Sequence, residues 1–281
     1  LFGRLATTIV TSATLTADRG FDFLVRRLGL GQAQEGPEPV TGQYPSPFDY
    51  ARQALLVVPT DVPAPNVDAA GHFSAVVRIL RDLVTACDGG VFALFTSHRD
   101  VRQAAAEWRA AGLDTRWPLL VHGEASRDQL VTRFRELGSA VLVGTASFWE
   151  GVDVPGEALR GLMLAKLPFR VPTEPVTAAQ CEAIEARGGD SFAEFSLPFA
   201  ALRLKQGFGR LIRSRDDRGV VVIADSRLVS KGYGRRLLDG LPPARRLVAP
   251  WDEARRAVTA FYAGRNAEAS TTKVMTKTST T

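Results

Sequence analysis

The chain contains 281 residues, 45% of them hydrophobic, which is enough to bury one α/β core. Its formal charge of +5 suits contact with a polyanion, although a charge of this size does not establish one. Cys87 and Cys181 lie far apart without CxxC spacing, which excludes a disulfide framework and a cysteine metal cage and predicts a reduced, cytoplasmic setting. No apolar run reaches the ~18 residues that a membrane span needs, so we expect no membrane partner.

Short apolar runs alternate along the chain with amphipathic stretches of helical period. This pattern predicts an α/β fold with a doubly wound, mostly parallel sheet and helices on both faces. The predicted strands are Leu5–Val10, Gln53–Val58, Gly90–Thr96, Pro118–Val121, Ala140–Gly144, Gly161–Ala165 and Val220–Ala224. The predicted helices are Asp18–Leu28, His72–Cys87, Arg99–Ala111, Ser126–Leu137, Leu197–Arg213 and Ser230–Leu238. Ser97 and Ser126 stand where N-caps are expected.

Composition divides the chain into four parts. Residues 1–30 precede a stretch with Gly, Gln and Pro, 31–46, which we interpret as a linker. Residues 47–264 form the main predicted domain, and residues 265–281 end in Ser, Thr and Lys with little to bury, so we expect a disordered tail. The chain begins mid-pattern without an initiator Met, which indicates a part of a longer protein.

The most informative stretch, residues 141–156, reads VLVGTASFWEGVDVPG and follows a predicted strand into a polar loop. In open α/β sheets, ligands bind at the carboxyl ends of the strands. Thr145 can donate to a phosphate, Gly151 lets a ligand approach the backbone, and Asp153 can accept from a ribose hydroxyl. An ordinary strand-to-turn connection that stops at Pro155 explains the same residues, so this stretch alone leaves both interpretations open.

A second stretch reads QGFGRLIR and begins at Gln206. In a helix Gln206, Arg210 and Arg213 fall at i, i+4 and i+7 and therefore share one face. Two forked guanidiniums can neutralise charge on a transferring phosphoryl group, whereas a solvated basic face is the common alternative. Gly207 and Gly209 each cost a helix ~1 kcal/mol relative to Ala, which indicates that something other than helix stability requires them.

Together and in this order, the two stretches resemble motifs V and VI of the second RecA-like domain of superfamily-two helicases. Motif V is matched by Thr145, Gly151, Asp153 and Pro155, and motif VI by Gln206, Gly209, Arg210 and Arg213. Thr11–Leu15 resembles motif III, which implies that residues 1–30 are the end of the first RecA-like domain and residues 47–264 the second. Phe95–Ser97 resembles motif IV, and His122–Glu124 resembles the HG element. The fuller forms at residues 147–156 and 206–213, with Ser46–Phe48 and Leu167–Phe169, are close to those of DinG and XPD helicases. The resemblance covers residues 1 to about 262.

The resemblance implies a RecA-like fold and the C-terminal motor half of an ATP-dependent DNA helicase. ATP with Mg²⁺ would lie between this domain and the first RecA-like domain of the same polypeptide. Arg210 and Arg213 would reach the γ-phosphate as arginine fingers, and Gln206 would help to sense it. Gly151 and Asp153 would contact phosphate and ribose. Glu150 is a further candidate, for positioning water or a metal ion, although an ion pair within motif V explains it equally well.

The resemblance also implies which residues meet the nucleic acid. Thr145, Ser97, His98 and Ser147 would hold the backbone of single-stranded DNA, which gives salt-sensitive, sequence-independent binding. Ser12 and Thr14 would couple the nucleotide state to the strand. An aromatic side chain of motif V, Phe148 or Trp149, could stack on a base, with a packed aromatic as the alternative. The implied substrates are single-stranded DNA and DNA forks, with 5′ to 3′ movement and a role in DNA repair.

Some features of such helicases are not in this sequence. It contains no GxxxxGK[ST] and no DEAH box before Thr11, so we expect the chain by itself to be inactive as an ATPase. Many family members carry a four-cysteine iron–sulfur cluster in the first RecA-like domain, and the two cysteines here do not decide whether the parent protein has one.

Two alternatives stay open. The first is a non-catalytic nucleic-acid-binding module that keeps the RecA-like fold, although such a module has little need for Arg210 and Arg213 beside Gln206. The second is part of a helicase–nuclease fusion, whose nuclease carboxylates would lie upstream. A nucleotide-binding transferase of doubly wound fold is excluded because no predicted strand is followed by GxGxxG.

Overall fold

A computed structural model describes residues 7–12, 14–17, 20–30, 39–145, 148 and 158–263. The strands in these residues are β1 (Ala54–Pro59), β2 (Val91–Phe95), β3 (Leu119–Val121), β4 (Val141–Thr145), β5 (Gly161–Leu164), β6 (Gly219–Ile223) and β7 (Arg245–Ala249). They form one sheet in the order β3-β4-β2-β5-β6-β1-β7, and every neighbouring pair is parallel. The predicted parallel sheet is therefore confirmed.

The helices of the described residues differ widely in length. They are α1 (Asp22–Arg27), α2 (Tyr50–Gln53), α3 (Ala69–Cys87), α4 (His98–Ala110), α5 (Arg127–Leu137), α6 (Pro175–Ala186), α7 (Leu197–Leu211), α8 (Arg227–Ser230), α9 (Gly232–Asp239) and α10 (residues 251–263). A 3₁₀ turn covers Leu113–Thr115, and a π-helical turn over Phe192–Ser196 directly precedes α7. No helix of the described residues is long and apolar enough to cross a membrane.

The chain forms two compact units. The larger is made of Phe48–Leu167, Gly209–Ser230 and Pro243–Thr281 and contains the whole sheet. The smaller is made of Leu1–Pro47, Pro168–Phe208 and Lys231–Pro242 and contains α1, α6, α9 and most of α7. The predicted boundaries at residues 30, 46 and 264 stay predictions, and the predicted tail lies outside the described residues.

Both faces of the sheet in the larger unit are covered. On one face Val91 belongs to a core shared with α3, α4 and α10, in which Trp108 and Trp251 are among the largest buried side chains. On the other face Phe92 packs edge-to-face against Phe134 of α5, with 4.4 Å between ring centroids. Strands covered on both faces are apolar throughout, which is why the interior strands could be recognised as unbroken apolar runs.

The helix starts in the larger unit follow from short polar side chains. The Ser97 hydroxyl oxygen accepts from the Asp100 N–H at 3.1 Å and caps α4. Ser126 and Gln129 form a capping box that begins α5. Both predicted N-caps are thus confirmed. The helix α3 begins three residues earlier than predicted because Asp68 caps it by accepting from the Gly71 N–H at 2.8 Å.

Three predictions of secondary structure are corrected. Residues 7–10 of the strand expected at Leu5–Val10 are exposed and belong to no strand of the described sheet, so their backbone groups find no ladder partner there. The strand β7 was not predicted, because it is an edge strand whose first residues are exposed arginines. The helix expected over Ser230–Leu238 begins only at Gly232, as α9, because Lys231 is extended and Ser230 ends the separate helix α8.

Candidate functional site

The carboxyl ends of β3, β4 and β2 bring three of the motif segments together. In the sheet register Phe95 pairs with Thr145, and Val121 pairs with Val143. The residues that follow these strands, Ser97, His98 and His122, therefore lie at the same edge of the sheet as Thr145. We call His98, His122 and Thr145 the histidine–threonine cluster.

His122 holds Thr145 through a ring nitrogen. Its Nδ1 accepts from the Thr145 backbone N–H at 3.4 Å and lies 3.2 Å from the Thr145 hydroxyl oxygen. The rings of His98 and Phe148 each lie 4.9 Å from the His122 ring, between centroids. Burial lowers the pKa of His122, and the charges of His98 and Arg127 lower it further. The imidazole is thus kept neutral at pH 7, as an acceptor at Nδ1 requires.

The two remaining candidates at this edge differ in exposure. Ser97 is half-buried, and its hydroxyl, which accepts from the Asp100 N–H, still carries a hydrogen that it can donate. His98 is exposed at the first position of α4. Thr145 is only 7% exposed, and its hydroxyl oxygen lies next to His122 Nδ1.

The sequence did not single out Lys166, which follows β5 at the same edge. Its Nζ lies 3.2 Å from Asp100 Oδ2, in a half-buried ion pair. A search for polar residues after each predicted strand would have found it, since the carboxyl ends of parallel strands share one edge.

Most of motif V lies outside the described residues. Ser147, Trp149, Glu150, Gly151 and Asp153 belong to that part, so their roles stay predictions. Phe148 is described and 1% exposed, which favours the packed-aromatic alternative for this residue over base stacking.

The arginines of motif VI lie at and beyond the end of α7. Arg210 is in the last turn, but α7 ends at Leu211 and Arg213 lies after it, so the prediction that Arg213 shares a helix face with Gln206 and Arg210 is wrong. The cause is Asp217, whose Oδ2 accepts from the backbone N–H groups of Arg213 at 2.7 Å and Ser214 at 2.8 Å and turns the chain. We call residues Arg210–Asp217 the arginine segment.

A close approach of backbone to side chain sets the position of this segment on the sheet. A Cβ at Gly219 would lie 2.6 Å from side-chain atoms of Leu211 and 2.7 Å from the carbonyl oxygen of Arg160. Only glycine fits between them, so the last residue of α7 rests directly on β6.

The two candidate arginines of this segment are half-buried near further arginines. Burial lowers the pKa of the Arg210 guanidinium, and the charge of Arg127 lowers it further. Burial also lowers the pKa of Arg213, with Asp217 acting in the opposite direction and Arg135 in the same one. Arginine keeps its proton at neutral pH under such shifts. Half-buried guanidiniums that repel like charges on α5 form a favourable site for an anion.

The other candidates belong to the smaller unit. Gln206 is half-buried on α7, one helical turn before Arg210. The Thr14 N–H donates to the hydroxyl oxygen of Ser12 at 3.2 Å. Lys205, which the sequence did not single out, donates from Nζ to the backbone oxygen of Thr16 at 2.9 Å and to its hydroxyl oxygen at 2.8 Å. The motif III segment is thereby tied to α7 beside Gln206.

No group of three or more His, Cys, Asp or Glu side chains in the described residues could hold a metal ion. Cys87 is buried and Cys181 half-buried, and neither forms a disulfide bond. His72 is buried in α3, and its two ring nitrogens lie 2.9 Å from the carbonyl oxygens of Pro63 and Ala165, so it has a structural role.

Comparison with known families identifies the domain. The family described as "Helicase C-terminal domain" matches residues 80–244. The chain belongs to this helicase family. Within it, this helicase domain is similar to the ATP-dependent DNA helicase YoaA of Escherichia coli K12, with 45% identity over 238 residues that cover 85% of this chain and 36% of YoaA. It is also similar to a Bacillus subtilis 168 protein named 3′-5′ exonuclease DinG, with 36% identity over 248 residues that cover 86% of this chain and 26% of that protein.

The fold of the helicase domain matches that of XPD. An apo XPD structure aligns with a TM-score of 0.59 at 15% sequence identity, covering 84% of this chain and 47% of the XPD chain. The expected RecA-like fold and the DinG/XPD type of domain are therefore confirmed. The chain spans about a third of the length of YoaA and about a quarter of that of the Bacillus protein.

Proposed function

We propose that this helicase domain is the C-terminal motor half of a DinG-type, ATP-dependent DNA helicase. In the full-length protein it would couple ATP hydrolysis to translocation on single-stranded DNA and to duplex unwinding. The observation that carries the proposal is the arginine segment, where Arg210 and Arg213 are half-buried among like charges in a chain of this family.

The arginine segment fits the triphosphate of ATP. The guanidiniums of Arg210 and Arg213 would neutralise the negative charge that develops on the γ-phosphoryl group as it leaves ADP. A Cβ at Gly209 would meet no atom of the described residues within 4 Å, so the packing of those residues does not require a glycine there. Close approach of the nucleotide supplies a reason for it. The Mg²⁺ ion would be held mainly by the first RecA-like domain, and Glu150, Gly151 and Asp153 stay candidates for further nucleotide contacts.

The edge that carries the histidine–threonine cluster fits the backbone of single-stranded DNA. Ser97 and Thr145 offer short hydroxyl groups at strand ends, which suit phosphate oxygens and carry no sequence information. His98 and Ser147 are the further candidates at this edge. The tie between Lys205 and Thr16 supports a coupling role for Ser12 and Thr14, because it links their segment to α7 beside Gln206.

On the same resemblance we extend the proposal to 5′ to 3′ movement, to forked DNA as a substrate, to DNA repair and to the cytoplasm. An iron–sulfur cluster would belong to a part of the protein outside this chain. The 281-residue chain alone should not hydrolyse ATP, and DNA-stimulated hydrolysis by the purified chain would contradict this.

The test compares two neighbouring arginines in the full-length protein. Arg213→Ala should abolish unwinding and leave only a small residual rate of DNA-stimulated ATP hydrolysis. The fall in kcat should be far larger than the rise in KM, because the guanidinium acts on charge in the transition state. Arg215→Ala removes an exposed charge two residues away and is the matched control. If Arg213→Ala hydrolyses ATP within a few-fold of the wild type, Arg213 is not the finger. If the wild type itself shows no hydrolysis, the non-catalytic alternative is correct.

A helicase–nuclease protein is the second candidate, because a relative carries the name 3′-5′ exonuclease. A full-length protein of this kind should shorten 5′-labelled single-stranded DNA in the presence of Mg²⁺, and Arg213→Ala should leave that activity intact. The absence of shortening would exclude this candidate.

A further inference from the structure

The turn that follows Arg213 is held from two sides by polar side chains. Asp217 accepts from the N–H groups of Arg213 and Ser214 and thereby fixes the start of the turn. The hydroxyl oxygen of Ser214 accepts in return from the N–H groups of Asp216 and Asp217, both at 3.2 Å. These contacts are local in sequence and close the turn on itself.

Gln53 attaches this closed turn to the sheet. It is the last residue of α2, directly before β1, and its side chain is 5% exposed. The side-chain Nε2 donates to the carbonyl oxygen of Ser214 at 2.7 Å and to that of Asp217 at 2.9 Å. An amide nitrogen carries two hydrogens, so both of its donors are used on the two ends of one turn.

We propose that Gln53 is a positioning residue for Arg213, a role that rests on the proposed function of Arg213 as an arginine finger. The Ser214 carbonyl that Gln53 holds belongs to the residue after Arg213. Fixing the peptide group after Ser214 and the Asp217 backbone restrains the turn that carries Arg213. A misplacement of about 1 Å in a group that acts on the transition state costs about 10²-fold in rate.

A purely structural role predicts a different result. Buried carbonyl groups need donors, and Gln53 would then only satisfy two of them. Its loss would lower the temperature of unfolding, while the turnover of each folded molecule would stay unchanged. Turnover and stability must therefore be measured on the same variants.

The main variant is Gln53→Leu in the full-length protein, which removes both donors and keeps a side chain of similar size. Gln53→Asn, one methylene shorter, keeps the amide but cannot reach both carbonyl oxygens. The matched control is Trp251→Phe, which removes another buried hydrogen bond of the larger unit, from the indole N–H to Asp82 Oδ2 at 2.7 Å, away from the arginine segment.

For Gln53→Leu we expect kcat of DNA-stimulated ATP hydrolysis to fall at least tenfold, with KM for ATP and Kd for oligo-dT within twofold of the wild type. The kcat of Gln53→Asn should lie between that of Gln53→Leu and that of the wild type. Hydrogen exchange should accelerate at the amides of Arg213 and Ser214. Under conditions where all variants are folded, Trp251→Phe should keep kcat within twofold. The proposal would be overturned if Gln53→Leu kept kcat within twofold of the wild type. It would also be overturned if Trp251→Phe lowered kcat as much as Gln53→Leu does.

A double variant separates this proposal from the one on which it rests. If Gln53 acts through Arg213, adding Gln53→Leu to Arg213→Ala should not lower the residual kcat any further, and an additional tenfold fall would contradict the proposal. If Arg213→Ala keeps wild-type turnover, the finger assignment itself is wrong. If only the proposed role of Gln53 is wrong, the result is different: Arg213→Ala loses turnover, whereas Gln53→Leu keeps it.

Discussion

The histidine–threonine cluster and the arginine segment both belong to the larger unit, but their electrostatics are opposite. In the cluster, burial and neighbouring charges hold His122 neutral, and Thr145 contributes an uncharged hydroxyl. In the arginine segment, guanidiniums stay charged although burial and like charges oppose it. The group offered for contact in the cluster is an uncharged hydroxyl, whereas the arginine segment offers charged guanidiniums.

The difference corresponds to two tasks that a motor must separate. A strand that moves past a protein has to be released after every step, which uncharged contacts worth about 0.5–1.5 kcal/mol each allow. A phosphoryl group in transfer gains charge that must be neutralised at one instant, and fixed guanidiniums in a half-buried site do this best. Under the proposed function, the neutral region meets DNA and the charged region meets ATP.

The largest expected effect is on turnover. Replacement of Arg210 by Ala in the full-length protein should lower kcat for ATP hydrolysis by about 10³-fold, the lower end of the range for arginine fingers. The Kd for single-stranded DNA should stay within about twofold. Steady-state hydrolysis at saturating oligo-dT measures the first quantity, and fluorescence titration measures the second. Arg133→Ala, which removes an exposed arginine of α5, is the control and should leave both unchanged. Equal loss in the two variants would mean that only general positive charge matters.

A smaller effect is expected on DNA binding. Thr145→Ala and Ser97→Ala should each weaken binding of oligo-dT and of mixed-sequence strands by roughly two- to tenfold, the value of one neutral hydrogen bond. Because a hydroxyl group releases no counterion, the dependence of Kd on salt concentration should not change. ATP hydrolysis should persist with less unwinding.

Thr145→Ser, which keeps the hydroxyl, is the control for this experiment and should bind like the wild type. Titrations against both strands at two salt concentrations decide the matter. A loss confined to one base composition would mean that these residues read sequence, which would contradict the assignment of this edge to the DNA backbone.

The smallest expected effect concerns pH. The pKa of His122 is lower in the folded chain than its ordinary value of 6.5. The unfolded chain therefore takes up a proton first as the pH falls. The stability that neutral His122 contributes is present above pH 6.5 and is lost as the pH falls toward the folded pKa. The free energy of unfolding should decrease over this range less steeply in His122→Asn than in the wild type, as measured by urea unfolding of the 281-residue chain.

Titration of the His122 ring by NMR is a direct check on the cause. His98→Gln removes the second largest contribution, so the pKa of His122 should rise but stay below 6.5, because burial remains. An unchanged pKa would show that the neighbouring ring does not act on His122.

The sequence was sufficient to predict most of the sheet, because buried parallel strands are apolar at every position. The prediction failed at β7, where two consecutive exposed arginines hide an edge strand. It also failed at α6, over which no helix was predicted although Pro175 is well suited to the first turn of one. Ser97 and Ser126 could be assigned as caps from local sequence alone. Caps depend on contacts three residues apart, which a sequence displays directly.

The supporting residues of the candidate site could not be predicted in the same way. Gln53 lies 161 residues from Ser214 in sequence, and no local pattern connects them. In the sequence Asp217 is only one of several polar residues in a turn. It ends α7 because its carboxylate is oriented toward the backbone N–H groups of Arg213 and Ser214, which the sequence does not show. Motif spacing identified Arg213, but assumed a helix that the carboxylate of Asp217 ends two residues earlier.

The place of β1 in the sheet has a consequence for how the protein is made. Its two neighbours are β6 and β7, the last two strands in the described part of the chain. A ribosome that adds about 5–20 residues per second needs roughly 8–30 s to travel from Gln53 to Ser214, just before β6. During that time β1, which is apolar throughout, has neither β6 nor β7 to pair with. Its unpaired edges can then form hydrogen bonds with another nascent chain. Aggregation during biosynthesis should therefore depend on how fast this stretch of message is translated, and slow codons between β1 and β6 should lower the yield of folded protein even though the amino-acid sequence is unchanged.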